Sequence, residues 1–531
     1  MPANRKNLTW LEVADFTAGL FGEVDITKQQ VLIPQAGFAR MQCYYPLKQG
    51  GLRAFYRTVG SVTCTGRTTG SHGSNNEAPV GLFAHGNTGI GYDNLILVTH
   101  NSNDHKDRVY YFNGVCGAPS TTWCVADVSA AASGDAVPPP DFAFFDDNVS
   151  TPGYNQYYYV MVLRGKDEGI YTITYNPNNC SGASGLTHDG YTQDVAGPSG
   201  SGSMTGPVGI NGARLLVGDG TVGSELWWTG EGVLSFEPAG GIYDPNDTGA
   251  GMRGIVSMQP DQFLVMRGGA PWLQFSGDVG TTGTNRVMGS THTGGASFQQ
   301  PVRVPNGVAF IEPGGYIYVT DGNTFEAISD QIPAFSSQVL GNQSASSVTG
   351  VGQLSYLNDF LFAPDGKVYK WDTKSWFTLE DSTAQTAATP QGIYYTIRED
   401  GTPVNYIAMF QGTGATRASC GNFQTAPYAD KDGRNVEIRE VQVFLQSYTA
   451  SGPCATVTCD IYDGEDNLVV SRVPEGGAIP AGRNLVRFLF PYPKADYLSV
   501  RICTDGQGSN EAPTIERMRI GFGQNNDILG V

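Results

Sequence analysis

Residues 308–322 read Val308-Ala309-Phe310-Ile311-Glu312-Pro313-Gly314-Gly315-Tyr316-Ile317-Tyr318-Val319-Thr320-Asp321-Gly322. Two short runs of β-branched and aromatic residues flank a turn, and the second run ends on Asp-Gly, a pair that suits tight hairpins because both positions tolerate positive φ. The pattern recurs along the chain. Residues 94–98 lead to 109–114, 157–162 to 169–173, 214–217 to 225–230, 262–266 to 272–277 and 360–363 to 368–372. One more unit, 392–396 to 406–410, follows. The second strands recur roughly 45–60 residues apart, close to the pitch of propeller blades.

This repeat predicts an all-β chain with a β-propeller-like array of about six to eight blades over residues 61–420, closed in part by a strand from residues 52–63. An irregular stack of hairpins without radial closure is the competing arrangement, because no signature residue repeats. Asn113-Gly114, Asp219-Gly220, Asp365-Gly366 and Asp400-Gly401 mark further hairpin turns. Helical patterning is nearly absent. The best helical candidate is residues 120–132, ended by Pro138-Pro139-Pro140.

A boundary is predicted at residues 411–433, which are rich in glycine and polar groups. Beyond it, Val436-Glu437-Ile438-Arg439-Glu440-Val441-Gln442-Val443-Phe444-Leu445 alternates at period two, as a strand with one buried face does. Residues 456–462, 484–490, 497–502 and 515–522 repeat that character, so 430–531 reads as a C-terminal β-sandwich. Residues 1–60 read as an extended N-terminal docking segment. The glycine- and serine-rich stretches 65–75, 181–205 and 277–295 read as exposed loops between strands.

Composition agrees with a folded β protein. The 531 residues include 70 glycines, roughly twice ordinary usage, while charged residues make up only 15%. Formal charge is −18, and no run of Lys and Arg offers the basic stripe that gripping nucleic acid requires. An acidic wall instead repels DNA that passes beside it. Nine cysteines, with no C-x-x-C pair, cannot all pair within one chain. Buried free thiols are the simpler reading, with Cys116 and Cys124, or Cys454 and Cys459, as possible bridges. The segment Met1-Pro2-Ala3-Asn4-Arg5-Lys6 lacks the apolar run of a secretory signal, and no stretch has the length to span a membrane. A soluble protein synthesised in the cytoplasm is expected.

Signatures of catalysis are missing: there is no phosphate-binding G-x-x-x-x-G-K-[ST], no H-E-x-x-H and no G-x-S-x-G. His72, His85, His100, His105, His188 and His292 never reach metal-ligand spacing with a cysteine, and His100 and His105 beside Asp104 and Asp107 read as a solvated loop. Glycoside hydrolysis needs only two carboxylates, and Asp141, Asp146, Asp147, Asp359 and Glu380 are the residues such a reading would draft. Asp463, Glu465, Asp466 and Asn467 offer oxygen ligands but lack EF-hand spacing, which makes them a polar hairpin turn. Trp227, Trp228, Trp272, Trp371 and Trp376 suggest either sugar stacking or wedges between blades, and the wedge is the expectation. No catalytic, cofactor-binding or metal residue is assigned.

Three N-terminal segments carry a resemblance. Asp15-Phe16-Thr17-Ala18-Gly19-Leu20 follows Trp10-Leu11-Glu12-Val13-Ala14, then comes Val31-Leu32-Ile33-Pro34-Gln35-Ala36-Gly37-Phe38-Ala39, then Gly50-Gly51-Leu52-Arg53. With Ile328-Ser329-Asp330-Gln331-Ile332 after a displayed strand, and residues 438–441 and 515–522 at the C-terminal end, the chain resembles the tail nozzle or hub proteins of short-tailed phages. That resemblance implies a non-enzymatic virion protein. Its copies would form a homo-oligomeric ring, in the family a hexamer, below the portal and adaptor proteins, through which DNA is ejected without sequence-specific binding. A minor tail or receptor-binding protein contacting host-surface glycan is the alternative, and a glycan depolymerase a third.

Overall fold

The computed structural model describes residues 8–20, 38–54, 58–63, 77–85, 94–101, 106–112, 124–130, 141–147, 156–162, 170–175, 207–218, 225–234, 242–243, 252–259, 262–268, 272–277, 279, 284–288, 301–335, 353–379, 386–389, 392–396, 406–410, 420–446, 456–475, 484–505, 514–523 and 528. Every regular element among them is a strand.

Seven antiparallel sheets follow one another as blades. Blade 1 is Glu77–His85, Asn94–Asn101, Lys106–Phe112 and Cys124–Ala130. Blade 2 has Asp141–Asp147, Gln156–Val162 and Ile170–Tyr175. Blade 3 has Val208–Asn211, Arg214–Gly218, Glu225–Trp228 and Ile242–Tyr243. Blade 4 has Met252–Gln259, Gln262–Arg267, Trp272–Ser276 and Thr284–Met288. Blade 5 has Val302–Val304, Gly307–Ile311, Ile317–Thr320 and Phe325–Ala327. Blade 6 has Ser355–Leu357, Phe360–Phe362, Lys367–Lys370 and Ser375–Thr378. Blade 7 has Thr386–Thr389, Gly392–Thr396 and Tyr406–Phe410, and its fourth strand is Thr58–Thr63 from the other end of the chain.

The ring closes. The first strand of each blade neighbours the first strand of the next, and that of blade 7 neighbours that of blade 1. Supplying the last strand of the last blade from the N-terminal side ties the two ends of the array together, which removes a free sheet edge. Only Thr58–Thr63 of the expected 52–63 closing segment does this, because Leu52–Ala54 pairs elsewhere. The predicted helix at 120–132 is instead the outer strand Cys124–Ala130, paired with Lys106–Phe112. Its Val-Ala-Asp-Val alternation and an open sheet edge outweigh the modest helix preference of its alanines.

Core packing follows the pleat: successive side chains point to opposite faces, so each blade feeds two layers. In blade 3, adjacent tryptophans divide between neighbours. Trp227 joins Ala143 and Phe145 of blade 2, while Trp228 joins Met252, Ile255, Phe263, Val265 and Phe275 of blade 4. Blade 4 in turn sends Val256, Leu264 and Met266 to Val308 and Phe310 of blade 5.

The inner strands pack closely. A Cβ added to Gly209 would lie 2.5 Å from Ile255 Cγ2, and one added to Gly254 would lie 2.3 Å from Pro301 Cγ.

Turn chemistry holds where it is described. Asp365 and Gly366 both take positive φ, 58° and 67°, and the Lys367 N–H closes the turn on Pro364 O at 3.3 Å. Asn358 and Asp359 make a second turn with both φ positive, 48° and 67°, without glycine. Asparagine and aspartate bear that conformation better than most residues.

The second region is a sandwich, and both ends of the chain build it. One sheet orders Tyr44–Pro46, Leu52–Ala54, Ile515–Phe522, Val436–Leu445 and Leu485–Leu489, with Thr9–Val13 also on Ile515–Phe522 and Lys494–Ala495 on Val436–Leu445. The other orders Phe38–Gln42, Cys420–Thr425, Tyr497–Asp505, Thr456–Asp463 and Leu468–Arg472, with Tyr428–Ala429 also on Tyr497–Asp505. The described strands of residues 1–54 are therefore sandwich strands and not a docking arm. Likewise, the predicted connector 411–433 contains the strand Cys420–Thr425. Its single large apolar residue, Phe423, carries too weak a periodic signal to reveal it.

Candidate functional site

Some of the segments that carry the resemblance, residues 15–20, 38–39 and 328–332, meet at the joint between blade 6 and the sandwich; 10–13, 52–53, 438–441 and 515–522 build the sandwich's other sheet, and 31–37 lie outside the described residues. The second sandwich sheet continues into blade 6 through one parallel pairing, Gln42 with Thr378, and the ten strands form one sheet. Side chains reinforce that thin link. Thr378 Oγ1 donates to Met41 O at 3.1 Å, Gln42 Nε2 to Leu379 O at 3.3 Å, and the Cys43 N–H to Thr378 O at 2.7 Å.

Trp376 is the centre of the joint. Its side chain is fully buried, and its Nε1–H donates to Ile328 O at 2.7 Å, inside the Ile328-to-Ile332 segment that follows blade 5. Ser329 Oγ accepts the Ile317 N–H at 2.7 Å and fixes that segment to its own blade. On the other side, Trp376 O accepts the Leu20 N–H at 2.8 Å, and Gly19 O accepts the Phe38 N–H at 3.0 Å. Gly19 has no substitute here. Its φ is +64°, and a Cβ would lie 2.6 Å from Ser375 Cβ and 2.8 Å from Trp376 O.

Phe16 fills the space behind that turn. It stacks on Phe38 with ring centroids 5.4 Å apart, and both rings meet Phe423 edge-on. Asp15 opens the turn by accepting the Thr17 N–H at 2.9 Å and the Thr17 hydroxyl at 2.6 Å. Gly50 O accepts the Phe16 N–H at 3.2 Å, which brings in the Gly-Gly-Leu segment, and Leu52 pairs with Ile515. Tyr44 adds a buried polar tie to Thr504 Oγ1 at 2.8 Å. Outside the joint, Glu12 bridges Arg517 and Arg519 at 2.9 and 2.6 Å, and those arginines hold its carboxyl below the usual range.

The residues drafted for catalysis have structural partners. Asp141, first in the inner strand of blade 2, accepts the Val208 N–H of blade 3 and the Phe142 N–H, both at 2.7 Å. Burial pushes its carboxyl up to about 6. Asp359 sits in an exposed hairpin turn, where it receives the Tyr356 hydroxyl at 3.3 Å. Asp146 lies on the same strand as Asp141, while the Asp147 side chain and Glu380 lie outside the described residues. His72, His105, His188 and His292, and Cys116, Cys180 and Cys454, are also outside them.

The polar turn near Asp463 closes on itself. Asp463 Oδ1 accepts the Glu465 and Asn467 N–H groups at 2.9 and 2.8 Å. Asp466 takes Arg40 at 2.6 Å and Gln424 Nε2 at 3.0 Å. Cys43 and Cys459 are buried, and burial raises the Cys459 thiol well above its ordinary value. Among the tryptophans, Trp227, Trp228 and Trp376 are buried between blades, and Trp371 is half-buried against Tyr356 and Tyr369. The Trp272 side chain is outside the described residues. No helix among the described residues is long and apolar enough to cross a membrane.

No known protein family and no curated protein matches the sequence. Similar solved structures include the computationally designed Ika8 protein, 11% identical over 79% of this chain and 98% of its own, with a TM-score of 0.35. BamB from Moraxella catarrhalis is 11% identical over 60% of this chain and 81% of its own, at 0.32. The exo-β-1,3-galactanase of Phanerochaete chrysosporium is 10% identical over 83% and 96%, at 0.29. At TM-scores this low the likenesses carry no argument about chemistry.

Proposed function

We propose that this chain is a structural virion protein of a phage tail, a nozzle or hub subunit that forms part of an oligomeric ring through which DNA is ejected. The observation that carries the reading is the joint. Of the segments that resemble nozzle proteins, residues 15–20 and 328–332 meet on Trp376 and tie the propeller to the sandwich, while 10–13, 52–53, 438–441 and 515–522 pair within the sandwich itself. Residues that act as architecture, and not as reagents, suit a load-bearing, non-enzymatic part.

In this reading the duplex passes through a lumen between subunits. A formal charge of −18 keeps phosphate from adhering to such a wall. The glycan-binding alternative has less behind it, since Trp227, Trp228 and Trp376 are spent on packing. Imaging of the purified full chain tests the proposal. Closed rings with a central lumen are expected; a particle that stays monomeric at every concentration overturns it.

A further inference from the structure

We infer that the rim of the sandwich farthest along both sheets from blade 6 is a self-association edge, covered in the assembled protein by the acidic surface of a second copy of this chain. The inference rests on the ring reading above and specifies its contact.

Leu468–Arg472 is the last strand of the ten-stranded sheet, with no strand beyond it among the described residues. An outer strand with one buried face alternates apolar-in and polar-out. This one does not: Leu468 and Val469 are both exposed, Val470 is half-buried, and Val473 just beyond is 65% exposed. Natural edges are blunted with charge, proline or bulges, and an apolar, open one is a template for another chain.

The neighbouring sheet ends at the same rim. The Glu475 N–H donates to Arg487 O at 2.9 Å, so the chain leaving the edge strand runs directly along Leu485–Leu489, the edge of the other sheet. Leu489 and Tyr492 are exposed there. Five of the seven large apolar side chains exposed among the described residues thus lie between 468 and 492. Tyr492 holds a positive φ of 64°, a costly conformation for a bulky residue, which presents its ring outward under the Arg439 guanidinium at 4.8 Å.

Charge selects the occupant. The described residues between 468 and 494 include Arg472, Arg487 and Lys494 against one carboxylate, Glu475, in a chain of formal charge −18. Glu440 and Glu437 of the adjacent strand take up Arg487 and Lys494. Arg472 bonds its own strand's Ser471 O at 2.9 Å and meets no carboxylate among the described residues. Two rims facing each other would oppose their arginines. The rest of the chain carries all of the negative excess, so the complementary surface is elsewhere on an identical copy. Such a contact is head-to-tail, the kind of contact that builds a ring where its rotation closes and a filament where it does not.

The test is sedimentation of the full chain across a concentration and salt series, with Val469→Asp/Val473→Asp, Arg472→Glu and, as a control away from the rim, Tyr316→Ser. The wild type and Tyr316→Ser are expected to assemble alike. The double variant is expected to stay monomeric with an unchanged unfolding midpoint, and Arg472→Glu to weaken assembly by about tenfold or more while flattening its salt dependence. Rim variants that assemble like the wild type overturn the inference and leave the ring reading standing. A wild type that stays monomeric, or gains mass only with an unlike tail protein, overturns the self-association edge together with the homo-oligomeric ring.

Discussion

The blades and the sandwich use the same pleated alternation but differ in where each strand finds its partner. Blades 3 and 4 bury their side chains in separate thin layers, such as Leu216, Trp228, Ile255, Phe263 and Phe275, drawn from stretches adjacent in sequence, whereas one face of blade 5 already joins the core of the joint. The sandwich and the joint share one continuous core that runs from Val13 and Phe16 through Trp376 and Phe423 to Phe522 and Ile528. Damage to a blade should therefore stay local, while damage to the joint should spread to both ends of the chain.

The largest effect is expected for Trp376→Ala. It removes a fully buried indole and the bond to Ile328 O, and losses of this kind cost about 3–5 kcal/mol. Hydrogen exchange should show lost protection in blade 6 and in the strands around Phe423 and Phe16 together. Loss confined to blade 6 would break the contrast.

Next comes Asp141, the carboxylate that links blades 2 and 3. Its folded pKa, about 6, lies above the ordinary 3.8 because burial disfavours the charge. The folded state then holds a proton that the unfolded chain has released, so stability falls as pH rises from about 4 to 6. The upper figure for that loss is about 3 kcal/mol, and it persists at neutral pH. Asp141→Asn does not titrate. Denaturant midpoints should show the wild type losing ground to the variant across this window, and a constant difference would refute the account.

Gly254→Ala sharpens the comparison from the blade side. The new methyl would meet Pro301 at the inner contact of blades 4 and 5, and such overpacking costs about 1–3 kcal/mol. Exchange near Val308 and Met266 should rise while the sandwich strands keep their protection.

What could be read from the sequence divides along the same line. Each blade is a local hairpin array, so the runs at 308–311 and 317–320, or 360–362 and 367–370, announced themselves through alternation and turn residues. Blade count stayed loose because first strands begin at residues 77, 141, 208, 252, 302, 355 and 386, a spacing that drifts with loop length. The joint was visible only as motifs. That Leu20 bonds Trp376 and that Phe16 meets Phe423 are pairings across hundreds of residues, and no local pattern encodes them. The edge strand Leu468–Arg472 was hidden for another reason, since its apolar run lacks the alternation by which strands are recognised.

The smallest effect is expected at Glu12, and it is informative because its sign opposes that of Asp141. Bonds from Arg519 and then Arg517 depress the Glu12 carboxyl, so its contribution is present above the ordinary value of 4.5 and is lost as pH falls through the depressed one. Exposed pairs of this kind contribute about 0.2–1 kcal/mol, and the three side chains here are each more than a third exposed. Glu12→Gln should lower the sandwich's stability by no more than that at neutral pH, with the deficit vanishing in acid and shrinking in high salt. Mild acid should thus strengthen the seam between blades 2 and 3 while lower pH loosens the Thr9–Val13 strand from Ile515–Phe522. Exchange at those two places, followed down the same pH series, should move in opposite directions. Parallel movement would mean that the two regions answer to one shared equilibrium, and the division between local blades and a joint held by both ends would fail.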